Sequence, residues 1–301
     1  MKKTTTTALL LATVCLMAAC TKEGVYNPSE KISKIYEENS DSYQQLVNGN
    51  WETLREESYS KQLRETWTWD GKKVSKISYG EGWEINFTYD GKQLTKIDEG
   101  EGDYVLFTYD GSKLSKFEFY SGNELQTSGT VTHDGKKVSQ IVVAYNNSYI
   151  DKSTRSARFF EKAMQLTLPV ADHNALTMAV KGAKEVETVT YNYTWDGDNI
   201  SKQVINEGSY TVTSTYTYDN KTNPYKGFVY ALEYEGVNMW CSKNNVLTET
   251  DVHTWDGENE EYVYNYSYTY DGKWPVSKTL NETYVYDEYR SVYTSTIYYE
   301  Y

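Results

Sequence analysis

Basic residues, histidine, cysteine and long apolar runs are all scarce in this 301-residue chain. Thirty Lys and Arg stand against 43 Asp and Glu, a formal charge of −13. Affinity for nucleic acid comes largely from phosphate neutralisation by clustered cations, so this balance excludes nucleic acid as a partner. With 3 His and 3 Cys there is little material for a nucleophile with its base, or for a metal centre. No metal-ligand spacing joins the three His, and neither a Gly-rich phosphate loop nor a Gly-Xaa-Ser-Xaa-Gly elbow occurs. No catalytic residue, metal or cofactor is therefore expected. Aromatics are plentiful instead: 31 Tyr, 8 Trp and 7 Phe. That is too much apolar surface for a disordered chain.

The one apolar stretch is short. Lys2 and Lys3 precede a run from Ala8 to Ala19 that ends at Cys20. This is the length of a secretion-signal core and falls well short of the roughly 20 residues a spanning helix needs. Leu16-Met17-Ala18-Ala19-Cys20 resembles a bacterial lipobox, with Met17 in place of the usual Leu. The resemblance implies cleavage before Cys20, lipidation of Cys20, and anchoring to the outer membrane on its periplasmic or cell-surface face. Residues 1–19 then form the signal peptide, 20–30 a lipid-anchored polar tether, and 31–301 a single β domain. Cys15 departs with the signal, so Cys241 has no internal disulfide partner and reads as a small buried hydrophobe.

A repeat organises the rest. Trp67-Thr-Trp-Asp-Gly-Lys-Lys-Val-Ser-Lys-Ile77 returns as Phe87-Thr-Tyr-Asp-Gly-Lys-Gln-Leu-Thr-Lys-Ile97 and as Phe107-Thr-Tyr-Asp-Gly-Ser-Lys-Leu-Ser-Lys-Phe117. Weaker copies centre on Asp134, Asp196, Asp219, Asp256 and Asp271. Aromatic-Thr-aromatic alternation puts both rings on one face of a strand, and Asp-Gly supplies the positive φ of a tight hairpin turn. On the return strand the apolar residues Val74 and Ile77 are three apart, which breaks the alternation and implies a bulge. The expected fold is all-β: an antiparallel meander of about 20-residue hairpins, with strands of about seven residues, forming a large curved sheet or barrel-like shell. Lys31-Ile-Ser-Lys-Ile-Tyr36 matches the return strand and marks the first strand, with Leu63 to Trp69 as its partner. The polar excursion between them admits a short helix at Trp51–Glu57. Helical spacing near 155–182, broken at Pro169 and stopped at Gly182, predicts a short helical insertion.

At Tyr-Asp-Gly-Lys the repeats resemble the YD or RHS class of bacterial surface repeats. Lys31–Tyr36, Trp67–Gly71, Phe87–Gly91 and Tyr193–Gly197 together resemble Bacteroidota lipoproteins of an uncharacterised domain family with a porin-like fold. That likeness implies a large antiparallel sheet curling toward a barrel, and brings no activity or site with it. A membrane porin is disfavoured, because spanning strands need about 9–11 residues with an apolar outer face, whereas these alternate aromatics with Thr, Ser and Lys.

His133 and His253 each fill an aromatic slot of the repeat, and His173 lies beside a helix-capping Asp172. The repeated Asp residues precede Gly in turns and read as turn chemistry. Aromatic faces suit sugar rings and extended ligands. The aromatics that lie off the repeat register, Trp51, Trp83, Trp240 and Trp274, are thus the candidate exposed binding residues. The functional reading is a non-enzymatic envelope lipoprotein whose scaffold binds a glycan or a protein. The alternative is a purely structural or adhesin-like component, with a hydrolase third.

Overall fold

The computed structural model describes residues 23, 25–80, 82–145, 187–208, 210–228, 241–286 and 288–301. They contain sixteen antiparallel strands in a closed meander. In chain order these are β1 (Lys34–Val47), β2 (Asn50–Asp70), β3 (Lys73–Tyr79), β4 (Glu84–Asp90), β5 (Gln93–Gly100), β6 (Asp103–Asp110), β7 (Lys113–Ser121) and β8 (Glu124–Asp134). The second half comprises β9 (Lys137–Tyr145), β10 (Glu187–Asp196), β11 (Asn199–Glu207), β12 (Tyr210–Tyr218), β13 (Val246–Trp255), β14 (Glu258–Asp271), β15 (Trp274–Tyr286) and β16 (Tyr289–Glu300). Pairing of β1 with β16, from Lys34↔Glu300 to Gln45↔Tyr289, closes the barrel. The helical insertion expected near 155–182 lies outside the described residues.

The repeat works as a hairpin with two further devices. Gly71, Gly91, Gly111, Gly135, Gly197 and Gly272 have φ between 55° and 60° at the first position of two-residue loops, so these turns line one rim. Just inside each turn the register slips. Thr68 faces Lys76 but Trp69 faces Val74, which leaves Ser75 as the extra residue of a bulge. The hydroxyls of Ser75, Thr95, Ser115, Ser139 and Ser201 donate to the carbonyls of Thr68, Thr88, Thr108, Thr132 and Thr194 at 3.0–3.2 Å. The spacing of three between apolar residues is this bulge, and the Ser or Thr within it satisfies the carbonyl beside it.

Two of the eight copies depart from the pattern. Asp219 opens a loop, where its carboxylate accepts from the backbone amides of Lys221 (2.9 Å) and Asn245 (3.0 Å). Asp256 and Gly257 both have positive φ, 48° and 85°, and turn the chain at the opposite rim. The double positive φ of the type I′ hairpin recurs there at Asn48-Gly49, Glu101-Gly102 and Gly122-Asn123.

Burial alternates as a closed sheet requires. On β4, Ile85 and Phe87 are buried while Glu84, Asn86, Thr88 and Asp90 are exposed. The outer face is therefore polar, the reverse of a barrel whose outer face meets lipid. Inward residues of β2–β9 are mostly apolar, among them Trp67, Ile77, Ile97, Phe107, Phe117 and Ile141, with Glu65, Glu99 and Asp103 buried at the strand ends away from the Asp-Gly turns.

Strands of seven residues hold for β3 and β4, but β2 has 21. Trp51–Glu57, which admitted a short helix, is strand. The Asn48-Gly49 turn starts a hairpin, and β1 pairs β2 from Asn50 to Thr66. Because β3 joins β2 only from Glu65 onward, residues 52–63 form an exposed arm beyond the short strands. Within the stretch expected to be a tether, Glu23 and Tyr26 pack against the Asp-Gly rim. Tyr26 is 4% exposed, stacks on Phe228 at 4.4 Å and donates its hydroxyl to the Pro224 carbonyl at 2.7 Å. The Glu23 carboxylate accepts from the Leu114 amide at 2.7 Å and meets His133 Nε2 at 2.9 Å.

Candidate functional site

The second half of the barrel turns a different face inward. Along β14 the alternation places Tyr262, Tyr264, Tyr266, Tyr268 and Tyr270 on the inner side, with Val263, Asn265, Ser267 and Thr269 outside. On β13 the inward residues are Glu249, Asp251 and His253, at 8%, 0% and 6% exposure. Strand register sets these beside one another. Gln203 on β11 faces Ser214 on β12, Ser214 faces Asp251, and Asp251 faces Tyr262. One row nearer the Asp-Gly rim, Tyr216 faces Glu249 and Glu249 faces Tyr264.

Strand alternation puts polar groups into this wall as readily as apolar ones, and the wall then has to satisfy them. Glu249 Oε2 accepts from the Tyr266 hydroxyl at 3.1 Å, and the Lys278 ammonium lies 4.6 Å from the Tyr266 ring. The Tyr210 hydroxyl bonds His253 Nδ1, and the Tyr262 ring meets the imidazole edge-on at 4.9 Å. Ser214 is the side-chain partner beside the Asp251 carboxylate and Tyr216 the one beside Glu249, whereas among the described residues Gln203 Nε2 and His253 Nε2 make no hydrogen bond. Each such buried atom costs about 1–3 kcal/mol.

Burial first, and the neighbouring Asp251 second, push the Glu249 carboxyl up to about 8. Burial pushes Asp251 up to about 6 and lowers His253 below its usual value. Near neutral pH the pair thus favours a shared proton and a single charge. The patch combines donors (Gln203, Ser214, Tyr216) with carboxylate acceptors, and tyrosine rings lie beside it. The cluster is buried, with Gln203, Ser214 and Asp251 at 1%, 0% and 0% exposure, and among the described residues no group of three His, Cys, Asp or Glu side chains is placed to bind an ion.

The tryptophans singled out from the sequence do not form one strip. Trp51 lies near the tip of the arm, with the Arg290 guanidinium 4.6 Å over its ring. Trp83 stacks on Tyr79 at 3.9 Å, at the rim before β4. Trp274, expected to be exposed, is 9% exposed at the Asp-Gly end, packed on Tyr301 at 6.0 Å. It pairs with the outward Asp271 at the end of the ladder, and the Tyr301 ring beside it accompanies its burial. Trp240, His173 and Cys20 lie outside the described residues. Cys241 is a free thiol whose pKa burial raises. The inner patch that the sequence reading passed over was signalled by two runs of period two, Glu249-Thr-Asp-Val-His253 and the five alternating tyrosines of Tyr262–Tyr270. Assigning His253 to an aromatic slot of the repeat hid the first of them.

No family model matches this chain. The chain is similar to the basal-body rod modification protein FlgD of Buchnera aphidicola subsp. Acyrthosiphon pisum, 29% identical over 73 residues, 24% of this chain and 31% of that protein. It thus spans about a third of that relative's length. Among solved structures it is similar to a porin-like protein from Bacteroides uniformis, at 12% identity and TM-score 0.49 over 91% of this chain and 98% of that one. A porin-like protein from Bacteroides vulgatus matches at 13% identity and TM-score 0.49 over 90% and 99%.

Proposed function

We propose that this chain is a lipid-anchored protein of the outer membrane whose barrel is a non-enzymatic binding scaffold, and that its ligand is a glycan held against the β11–β14 wall. The observation that carries the reading is the row Gln203, Ser214, Asp251, in which the Gln203 amide nitrogen finds no partner among the described residues and the Asp251 carboxylate has the Ser214 hydroxyl as its side-chain partner. Sugar hydroxyls both donate and accept, so one ring can answer the carboxylate and the amide together, and its apolar face suits the adjoining tyrosines. A charged ligand is favoured less, because burial already holds a proton on the Glu249–Asp251 pair. The envelope assignment draws on the leader that ends at Cys20 and on the polar outer face of the barrel.

The test is titration of the full-length protein, purified in mild detergent, against a panel of neutral oligosaccharides. Asp251→Asn and Ser214→Ala are expected to weaken binding at least tenfold without altering the circular dichroism spectrum. If no glycan binds, the reading fails and the purely structural alternative stands. If reducing ends accumulate, the hydrolase takes its place. Membrane fractionation of Cys20→Ala tests the anchor separately, since loss of lipidation should release the protein.

A further inference from the structure

The wall is not continuous. The ladder between β14 and β15 runs from Asp271↔Trp274 to Asn265↔Asn281 and ends there. Beyond that point both strands go on. β14 extends back to Glu258 along β13, from Glu249↔Tyr264 to Trp255↔Glu258, while β15 extends to Tyr286 along β16. The sheet forks, and a cleft of about 320 Å³ opens between the two prongs. Glu260, Glu261, Glu282, Val263 and Val285 line it together with Tyr262 and Tyr264 of the inner wall, and no Lys or Arg is among the lining residues. Val263 and Val285 are 45% and 60% exposed on the polar outer side. The β15 prong is five residues long and the β14 prong seven, so the shorter wall spans about 16 Å at 3.3 Å per residue.

We infer that the fork accepts an extended basic peptide, which adds as a strand between β14 and β15. Strand edges recognise extended peptides through main-chain hydrogen bonds, and flanking side chains set the preference. Here the preference is for Lys or Arg opposite Glu260 and Glu282 on the inner side, alternating with small apolar residues against Val263 and Val285 on the outer side. The cleft adjoins the inner wall at Tyr262 and Tyr264, but a glycan does not exploit a strand edge, so methylation of the peptide backbone tells this inference apart from the glycan reading.

The probe is fluorescein-labelled Lys-Val-Lys-Val-Lys-Val amide, titrated into the full-length protein by fluorescence anisotropy at low salt. Three losses are expected, each at least tenfold: on methylating alternate backbone nitrogens of the peptide, on exchanging its Lys for Glu, and on introducing Glu260→Lys with Glu261→Lys. These two glutamates are exposed, so the double variant should remain folded. Continuing the register pairs position 263 with 283, so an oxidised Val263→Cys, Thr283→Cys variant should zip the fork shut and lose the peptide, with recovery on reduction. The inference is overturned if the peptide does not bind, if the methylated peptide binds equally well, or if the charge-reversed protein binds as before. Peptide-induced dimerisation, seen by sedimentation, would overturn it too, because the fork would then be an interface between copies.

Discussion

The phenolic hydroxyl of Tyr89 donates to the carbonyl of Val74 at 2.8 Å, joining its repeat to the one before it. The same bond recurs from Tyr109 to Leu94 (2.6 Å), from Trp195 to Val138 (2.7 Å) and from Tyr218 to Ile200 (2.6 Å). The Val74 and Leu94 carbonyls lie past the last backbone pairs of their ladders, Lys76↔Asn86 and Lys96↔Leu106. The side chain thus continues the ladder where the bulge has ended it. This explains the composition of the repeat. The ring next to Asp is Trp, Tyr or His and never Phe, whereas the ring two residues earlier is Phe in two copies.

Tyr109→Phe should therefore lower stability by about 1 kcal/mol, the net value of one such bond. Removing the hydroxyl of Tyr89 as well should add a similar loss, since the two bonds serve different carbonyls. Urea midpoints of the single and double variants check this. No change in either variant would show that water replaces the bond at the rim.

Glycine positions separate backbone strain from space. Gly91 has φ +56°, and a Cβ added there would meet nothing within 4 Å, so Gly91→Ala should cost only the strain of a left-handed Ala, about 1 kcal/mol. Gly129 faces Phe117 across the ladder, and a Cβ there would stand 2.0 Å from the Phe117 ring. Gly129→Ala should be the more destabilising of the two, by thermal unfolding, and Phe117→Leu should partly rescue it. Equal losses would contradict the packing described.

Much of the barrel could be read from local chemistry. Asp70-Gly71 announced a turn and the Val74/Ile77 spacing a bulge, because both are decided within a few residues. Closure could not be read that way, since Lys34↔Glu300 is a pairing across the whole chain. The arm was missed because residues 52–63 are exposed on both faces, so burial imposes no period-two pattern on them. The inner wall was missed for another reason. Its inward positions are Glu, Asp, His and Tyr, and a hydrophobic-alternation rule discards the first three, although they alternate as strictly as Ile85 and Phe87.

The segment before β1 should matter to stability, not only to anchoring. Tyr26 contacts Trp67, Trp69 and Phe228 with its ring. Tyr26→Ala is expected to cost roughly 3–5 kcal/mol, as for other large buried aromatics. Asn27→Ala, one residue on and exposed, should cost less than about 0.5 kcal/mol. Denaturant unfolding distinguishes a docked segment from a free tether, for which both substitutions would be silent.

The Glu249–Asp251 pair gives the fold a pH dependence of definite sign. Glu249 is raised from 4.5 to about 8 and Asp251 from 3.8 to about 6, chiefly by burial. Across that interval the native state binds more protons than the unfolded chain, so stability falls as pH rises from about 4 to about 8 and levels off above. Glu249→Gln removes the larger contribution and keeps the shape of the side chain. Its urea midpoint should therefore fall less steeply over the interval and exceed that of the unsubstituted protein at pH 8, with the difference narrowing at pH 4. Parallel curves for the two proteins would mean that the Glu249 carboxyl is already solvated in the native barrel, and the proposed glycan row would then lose one of its buried walls.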